Sequence, residues 1–372
     1  MKPATSLYLD AVRFGAALLV LLTHLAYARF SAGLLLPLRS FGNDAVMVFF
    51  VLSGYVIAHT AATRDRDLTA FALKRCARLY SVAVPALVLT LVLDHCGRAL
   101  APALYHGFQY QDAAPLQRIL RALSFNHELW FDSWRLFSNG PYWSLGYEFW
   151  YYALFACAWY LRGTRRALCL LAVALWVGPK ILLLLPVWAL GVGVYRINLR
   201  HAPRAAWGAT LWFLSLALYA LFRAGGGRDA LLNWSYTQFG RYFVEHDLHW
   251  SNEFLASYVL GALVAMNFIG FHACADLCER WLSRYARPIR AWAGCTFSLY
   301  LFHYPLLQFL AAVWPFASPT PLSSALLFVT TVLICRVLAS VTEQRKDQLY
   351  DLLLSGARWL RRALPTAGPS WR

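Results

Sequence analysis

Ten apolar segments, each close to 20 residues long, follow one another along this chain of 372 residues. A bilayer core is crossed by about 20 residues of helix, and lipid tolerates only backbone whose polar groups are hydrogen-bonded within the protein. Charged residues make up 14% of the chain, against about 25% in soluble domains. The sequence therefore predicts an all-α polytopic membrane bundle with about ten transmembrane helices. The segments are 9–28, 41–61, 78–95, 142–161, 166–181, 182–196, 206–222, 252–271, 291–312 and 321–341.

The fifth and sixth segments form one long apolar run. Gly178, Pro179, Lys180 and Pro186 interrupt it. Proline lacks the backbone N–H that a residue inside a helix donates, so the run is expected to break near its middle. Two spans and a tight re-entrant hairpin both fit this pattern.

Basic residues are unevenly shared between the two sides of the predicted bundle. With a cytoplasmic N-terminus, 22 of the 34 Lys and Arg residues fall in the inner segments and 10 in the outer ones. Positive residues accumulate on the cytoplasmic side of membrane proteins, so both termini are predicted to be cytoplasmic, in a cell (inner) membrane. Topology thus accounts for most of the net charge of +16. No nucleic-acid-binding module is recognisable, so no nucleic-acid partner is expected.

The end of the chain differs in pattern from the bundle. After residue 343, leucines alternate with arginines around Trp359. A helix with one basic face and one apolar face lies in the membrane interface. The sequence therefore predicts a membrane domain at 1–343, followed by a cytoplasmic basic amphipathic tail at 344–372.

Arg13 and His24 both lie in the first apolar segment. A charged residue inside a membrane helix is costly and commonly functional. Eleven residues span about three helical turns, so both side chains leave the same face, roughly 16 Å apart along the axis. One face would hold a permanent cation and a group that exchanges protons near neutral pH. A snorkelling arginine and a hydrogen-bonded histidine explain the pair equally well.

Other polar residues lie in or beside later segments: Ser53, Arg75, Arg78, Glu148, Ser298 and His303. Close helix packing explains a Ser-Gly step, and interhelical hydrogen bonds explain Ser298 and His303. Arg75 and Arg78 are three residues apart and share a helix face. Their guanidinium groups suit phosphate oxygens, although ordinary topological charge also explains them. Glu148 lies about two turns into a segment, where a carboxylate must be paired, protonated or functional.

The cysteines are scattered along the chain. His272, Cys274 and Cys278 form the closest approach to a cluster of metal ligands. Four converging ligands, as structural zinc requires, are not visible around them. No metal site is predicted.

Taken in order, these motifs resemble those of the acyltransferase-3 family of integral membrane acyltransferases. The family's Arg, ten residues, His pattern matches Arg13 and His24, with Asp10 just ahead. The other matches are Phe49-Phe50-x-x-Ser53-Gly54-Tyr55, Arg75-x-x-Arg78, Trp143-Ser144-Leu145-x-x-Glu148 and Tyr300-Leu301-x-His303-x-Pro305. Five motifs in order between residues 10 and 305 are far more specific than any one of them.

The resemblance implies a transferase of groups other than aminoacyl groups, here an O-acetyltransferase. Acyl-CoA, with acetyl-CoA expected, is the implied cytoplasmic co-substrate, and no bound cofactor is expected. The implied acceptor is a hydroxyl of a glycan or glycolipid, so the partners are the acyl-CoA, this acceptor and the bilayer. Direct transfer is expected, with an acyl-histidine intermediate as a variant.

The resemblance and the chemistry of the side chains also suggest roles. His24 is expected to be the general base, and Glu148 to orient a histidine, hold its proton or bind the acceptor. Trp143 and Tyr142 are expected to stack on a sugar ring. The full set is His24, Arg13 and Glu148 for catalysis; Arg75, Arg78 and Ser53 for the donor; and Trp143, Tyr142, Ser298, Tyr300 and His303 for acceptor binding or support.

A proton-coupled transporter of a lipid-linked sugar or small solute is the alternative. It would use the same intramembrane Arg, His and Glu residues as a proton relay. Many transporters contain inverted repeats, and none stands out in this sequence. This difference favours the acyltransferase.

Overall fold

The computed structural model describes residues 1–107, 110–313 and 319–363, with side chains in the last helix as far as Trp359. Within these residues the chain forms α-helices joined by loops and short 3-10 or π turns, and no β-strand. The predicted all-α membrane bundle is confirmed. The final residues of the predicted tail, 364–372, lie outside the described residues.

Fifteen α-helices occupy the described part of the chain. They are α1 (Pro3–Leu25), α2 (Ala28–Ser31), α3 (Gly42–Thr63), α4 (Leu68–Leu100), α5 (Pro115–Leu123), α6 (Trp143–Tyr160), α7 (Gly163–Val177), α8 (Pro179–Arg200), α9 (Ala205–Ala224), α10 (Gly227–Phe239), α11 (Phe254–Arg284), α12 (Ala286–Ala293), α13 (Thr296–Val313), α14 (Pro321–Val341) and α15 (Lys346–Ala363).

Each of the ten predicted spans corresponds to one long helix. Among the described residues, eight of these helices are long and apolar enough to cross a membrane: α1, α3, α4, α8, α9, α11, α13 and α14. The expectation of about ten spans therefore exceeds what helix length and hydropathy support. The two remaining helices are α6, which carries Glu148, and α7, whose 15 residues extend only about 22 Å.

The long apolar run breaks at a single residue. Gly178 separates α7 from α8 with a φ of +77°, a conformation that glycine adopts without strain. A Cβ at this position would also lie 2.7 Å from Trp130. The predicted boundary at residue 181 is therefore three residues late, and Pro186 lies inside α8.

Small residues let α3 and α8 pack closely. A Cβ on Gly191 would lie 1.9 Å from the Val51 carbonyl oxygen, and one on Gly54 would lie 2.0 Å from that of Trp188. Glycine is the residue that permits such backbone approach between membrane helices. The Ser53-Gly54 step thus has a packing role, and the crossing fixes Ser53 beside α8.

Helix α1 is a central element of the bundle and packs against α3, α11, α12 and α13. After α14, a 3-10 turn at Glu343–Arg345 leads into α15, which packs along α4. Leu352 and Trp359 remain exposed on α15, as expected for a helix that lies in a membrane interface. These packing contacts place the middle of α1, at Arg13, and its C-terminal end, at His24, beside cavities inside the bundle.

Candidate active site

Two cavities lie along α1, one beside each residue of the Arg13–His24 pair. The Arg13 cavity, of about 180 Å³, is lined by Arg13, Val46, Phe49, Phe50, Leu52, Ser53, Arg78, Ser144, Leu145, Glu148, Gly294, Thr296, Phe297, Tyr300, Glu343, Gln344 and Lys346. The His24 cavity, of about 200 Å³, is lined by Val20, Thr23, His24, Tyr27, Arg39, Gly42, Asn43, Val46, Arg135, Gly140, Pro141, Trp143, Trp250, Tyr300 and Tyr304. The structure thus assigns the two members of the sequence motif to separate chambers.

Arg13 is anchored by two hydrogen bonds. Its Nη2 donates to Asp10 Oδ1 at 3.1 Å and to the Ala293 carbonyl oxygen at 3.1 Å. Its Nε has no hydrogen-bond partner among the described residues. Asp10 therefore balances the charge within the same helix, while the guanidinium group borders the cavity.

Arg75 and Arg78 have different surroundings, although they share a motif. Arg75 Nη2 donates to Asp65 Oδ2 at 3.0 Å, and Lys74 Nζ donates to Asp65 Oδ1 at 2.6 Å. Asp65 is buried, so this pairing has a structural role at the start of α4. Arg78 lines the Arg13 cavity together with Lys346. The sequence could not separate the two arginines, because Asp65 belongs to none of the motifs.

Glu148 lies at the wall of the Arg13 cavity, on α6. Its Oε1 accepts a hydrogen bond from Ser53 Oγ at 3.1 Å and a second one from the Tyr152 hydroxyl. Trp188 Nε1 donates to Ser53 Oγ at 3.2 Å. Among the described residues, Glu148 contacts no histidine. In this geometry the side chain that meets the His24 ring is His303 rather than Glu148.

Ser298 lies at the same end of the bundle as Arg13. Its backbone N–H donates to Glu343 Oε2 at 3.0 Å, and its hydroxyl lies 3.3 Å from Thr342 Oγ1. These contacts join α13 to the residues that directly follow α14. They place Glu343, rather than Ser298 itself, at the wall of the Arg13 cavity.

His24, which lines its cavity, pairs with the buried imidazole of His303. His24 Nδ1 lies 3.1 Å from His303 Nε2 and 2.9 Å from the Val20 carbonyl oxygen. His303 Nδ1 lies 2.9 Å from the Leu299 carbonyl oxygen. A carbonyl oxygen only accepts hydrogen bonds, so both Nδ1 atoms carry a proton and His303 Nε2 accepts from His24.

This assignment leaves His24 Nε2 as the unprotonated nitrogen of the neutral ring. Among the described residues, no group hydrogen-bonds to it. The α1 histidine thus has one nitrogen held by Val20 and His303 and a second one available as a base. The i, i+4 bonds to Val20 and Leu299 fix both rings relative to their own helices.

Stacked tryptophans form another wall of the His24 cavity. The rings of Trp143 and Trp250 lie parallel, with centroids 5.0 Å apart and planes 5° apart. Trp250 precedes α11 and belongs to no sequence motif, so sequence reasoning missed it. Tyr142 is instead buried, and its hydroxyl donates to the Ala122 carbonyl oxygen at 3.2 Å. It does not line the cavity, and the expected stacking role of Tyr142 is not supported by its position.

Cations other than Arg13 also border the two cavities. Arg39 and Arg135 line the His24 cavity, and none of its described lining residues is Asp or Glu. In the Arg13 cavity, by contrast, Glu148 and Glu343 accompany the basic residues. Neither Arg39 nor Arg135 lies in an apolar segment, which is why the sequence offered no signal for them.

The loop before α6 is held by a buried ion pair. Glu128 Oε2 lies 2.6 Å from Lys180 Nζ, and both side chains are almost fully buried. Lys180 also donates to the Asp132 carbonyl oxygen, and Ser133 Oγ donates to Glu128 Oε1 at 2.8 Å. Burial raises the pKa of Glu128, and the Lys180 ammonium opposes that rise. This network ties the loop to the start of α8.

His127, next to this ion pair, supports α6 directly. Its Nε2 lies 3.2 Å from the Tyr142 carbonyl oxygen and 3.3 Å from that of Trp143. Burial lowers the pKa of His127 to about 4. The loop therefore positions Trp143 through a neutral histidine. Among the described residues no group of His, Cys, Asp and Glu could hold a metal ion.

Comparison with known proteins defines the class. A family model described as an acyltransferase domain matches residues 6–340 of this multi-pass helical chain. The chain belongs to the acyltransferase-3 family. Acyltransferase MdmB of Streptomyces mycarofaciens is 32% identical over 161 residues, 41% of this chain and 38% of that protein. The match thus spans less than half of that relative's length. No solved structure matches this chain.

Proposed function

We propose that this protein is an O-acetyltransferase that moves an acetyl group from acetyl-CoA to a hydroxyl of a glycan or glycolipid. The observation that carries the proposal is the His24–His303 pair. It presents a neutral imidazole nitrogen to a cavity that is separate from a second, cation-lined cavity. Family membership supplies the acyl transfer. The donor, the acyl group and the acceptor are inferred from the residues that line the two cavities.

The Arg13 cavity suits the donor. Arg13, Arg78 and Lys346 border it, and guanidinium forks bind phosphate oxygens well. Ser53 and Glu148 line the same cavity and can hydrogen-bond the polar pantetheine arm. Because Arg75 is paired with Asp65, we assign donor binding chiefly to Arg78 and assign Arg75 to support.

The distance between the cavities fits an extended donor. Arg13 and His24 are separated by roughly 16 Å along α1. One end of a long thioester can therefore be held by the cations while its carbonyl carbon approaches His24. In this proposal the two motif residues serve different parts of one substrate.

His24 Nε2 is the general base of the proposed reaction. It takes the proton of the acceptor hydroxyl as the oxygen attacks the thioester carbonyl carbon. The C–S bond of the tetrahedral intermediate then breaks, and the thiolate takes the proton back from His24. Proton and acyl group are both accounted for, and the products are the acyl ester and free CoA.

His303 holds His24 in the required tautomer. Together with the Val20 carbonyl oxygen, it accepts the single Nδ1–H of His24, which leaves Nε2 unprotonated, and it stabilises the charge that His24 acquires during attack. A carboxylate does this in serine hydrolases, whereas here an imidazole does it. An acyl-histidine route, in which His24 Nε2 itself attacks, is the variant.

The His24 cavity suits a sugar acceptor. Trp143 and Trp250 offer aromatic surface, and Asn43 and Thr23 add groups that hydrogen-bond hydroxyls.

Positive residues accumulate on the cytoplasmic side, so the proposed orientation places the Arg13 cavity toward the cytoplasm. Both termini are then cytoplasmic, the membrane is a cell inner membrane, and the expected process is the modification of a surface polysaccharide.

Acetyl incorporation tests the proposal. Membranes from cells with and without the protein are incubated with radiolabelled acetyl-CoA, and surface glycans are analysed by mass spectrometry. We expect an added acetyl mass that depends on the protein and disappears in His24→Ala. Membranes that incorporate no acetyl and consume no acetyl-CoA contradict the proposal and favour the proton-coupled transporter, which has no use for acyl-CoA.

A further inference from the structure

Val46 on α3 and Tyr300 on α13 line both cavities, and they are the only described residues to do so. Their exposed fractions are 5% and 6%, respectively. Each side chain therefore presents one surface to the Arg13 cavity and another to the His24 cavity. The two side chains form the boundary between the chambers.

Tyr300 is held firmly at this boundary. Its hydroxyl lies 2.8 Å from Ser144 Oγ. Its ring meets that of Phe49 edge to face, with centroids 5.5 Å apart. A ring fixed at both its edge and its hydroxyl does not swing aside freely, so the space beside Tyr300 depends on the residue opposite, Val46.

The reacting carbonyl of the donor must lie at this boundary if the proposed function holds. The donor occupies the Arg13 cavity and the acceptor hydroxyl meets His24 in the other cavity, so the thioester carbon lies between them. The acyl chain attached to that carbon then competes for space with the side chains of Val46 and Tyr300. Interiors are close-packed, and even one extra methylene is felt there.

We propose that Val46 and Tyr300 select the length of the acyl group, so that this enzyme transfers short acyl groups in preference to longer ones. This inference rests on the proposed acyl transfer and deepens it. A pocket discriminates one methylene by roughly 10–200-fold. Removing two methyl groups from Val46 should therefore shift the acyl preference measurably.

The test compares acetyl-, propionyl- and butyryl-CoA as donors for membranes that carry each variant. Val46→Ala widens the boundary, and Val46→Ile narrows it. Val48→Ala is the matched control, because Val48 lies on the same helix but lines a different cavity, together with Tyr8 and Phe268. The readout is the ratio of butyryl to acetyl transfer, with the amount of protein measured in parallel.

We expect Val46→Ala to raise the butyryl-to-acetyl ratio by about tenfold or more. Val46→Ile should lower the propionyl-to-acetyl ratio, and Val48→Ala should match the wild type. If the wild type transfers acyl groups but the Val46 variants keep its chain-length profile, the inference is wrong and the proposed function stands. If the wild type transfers none of the three acyl groups, both fail. The opposite shifts of the two Val46 variants separate selection from general damage.

Discussion

The two cavities along α1 solve different chemical problems with different groups. The Arg13 cavity combines the permanent cations Arg13, Arg78 and Lys346 with carboxylates, which suits the binding of a charged donor. The His24 cavity is lined by His24, whose ring pairs with the buried imidazole of His303, and by Arg39 and Arg135, with no carboxylate among its described lining residues. Permanent cations bind a charged donor, whereas a neutral, oriented imidazole transfers protons. The contrast suggests that substitutions in the first cavity alter donor binding and those in the second alter turnover.

The largest effect is expected at His24. His24→Ala removes the base, and acyl transfer should fall by about 10²–10⁴-fold, while the protein remains in the membrane. Radiolabelled acetyl transfer by matched membranes measures this. His59→Ala is the control, a histidine on α3 that lines neither cavity. If the two variants transferred acetyl equally well, His24 would not be the catalytic base.

Arg78 and Arg75 separate donor binding from folding. Arg78→Ala should raise the KM for acyl-CoA about tenfold or more with a smaller change in kcat, because it removes a cation from the cavity. Arg75→Ala should instead lower the free energy of unfolding by roughly 2 kcal/mol, since Asp65 loses one of its two partners. Steady-state kinetics and thermal melts in detergent measure the two effects. Matching KM values in the two variants would contradict this division.

Loss of the His303 side chain should lower kcat without changing the KM for acyl-CoA. His303→Leu removes one of the two acceptors of His24 Nδ1–H and leaves the Val20 carbonyl oxygen. We expect kcat to fall about tenfold or more at an unchanged KM for acyl-CoA. His303→Gln places an amide oxygen near the same site and should recover part of that loss. A purely structural role for His303 predicts that both variants lose protein rather than kcat, which quantification of folded protein would reveal.

The loop that supports α6 should be sensitive to acid. Because the folded pKa of His127 is about 4, below the unfolded value near 6.5, the unfolded state binds more protons between those values. The contribution of His127 to the free energy of unfolding is therefore fully present above about pH 6.5. It is lost as the pH falls toward 4, by about 3 kcal/mol in all. Melting temperatures at pH 7.5 and 4.5 measure this.

His127→Gln is the control for that loss. Glu128 has a raised pKa and titrates with the opposite sign, so the difference between wild type and variant is the quantity to compare. We expect a smaller loss on acidification in the variant. Identical losses would show that other groups are responsible.

The smallest effect concerns the stacked rings. Trp250→Ala should raise the KM for the acceptor several-fold while leaving the KM for acyl-CoA unchanged, because it removes aromatic surface from the His24 cavity alone. Tyr142→Phe, which removes only a buried hydroxyl, should leave both constants unchanged. An acceptor KM altered by Tyr142→Phe, but not by Trp250→Ala, would reverse this assignment.

Residue spacing predicted the helices, the shared face of Arg13 and His24, and their separation. Helical periodicity is local, so a sequence states it directly. Which partners meet across helices is not local. His303 rather than Glu148 meets His24, and Trp250 rather than Tyr142 lines the His24 cavity, in both cases through residues far apart in the chain. Asp65 pairs with Arg75 across only ten residues, but it lies in the turn before α4, outside every motif. The break at Gly178 was predicted three residues late because prolines at residues 179 and 186 are tolerated at the start of α8 and inside it.

Acetyl-CoA binding tests most directly the claim that the two cavities divide binding from catalysis. Equilibrium binding of radiolabelled acetyl-CoA is measured on purified wild-type protein, Arg78→Ala and His24→Ala in lipid nanodiscs. The account predicts that His24→Ala binds acetyl-CoA with the wild-type Kd although its acyl transfer is about 10²–10⁴-fold lower, whereas Arg78→Ala binds at least about tenfold more weakly. Loss of donor binding in His24→Ala equal to that in Arg78→Ala would contradict it.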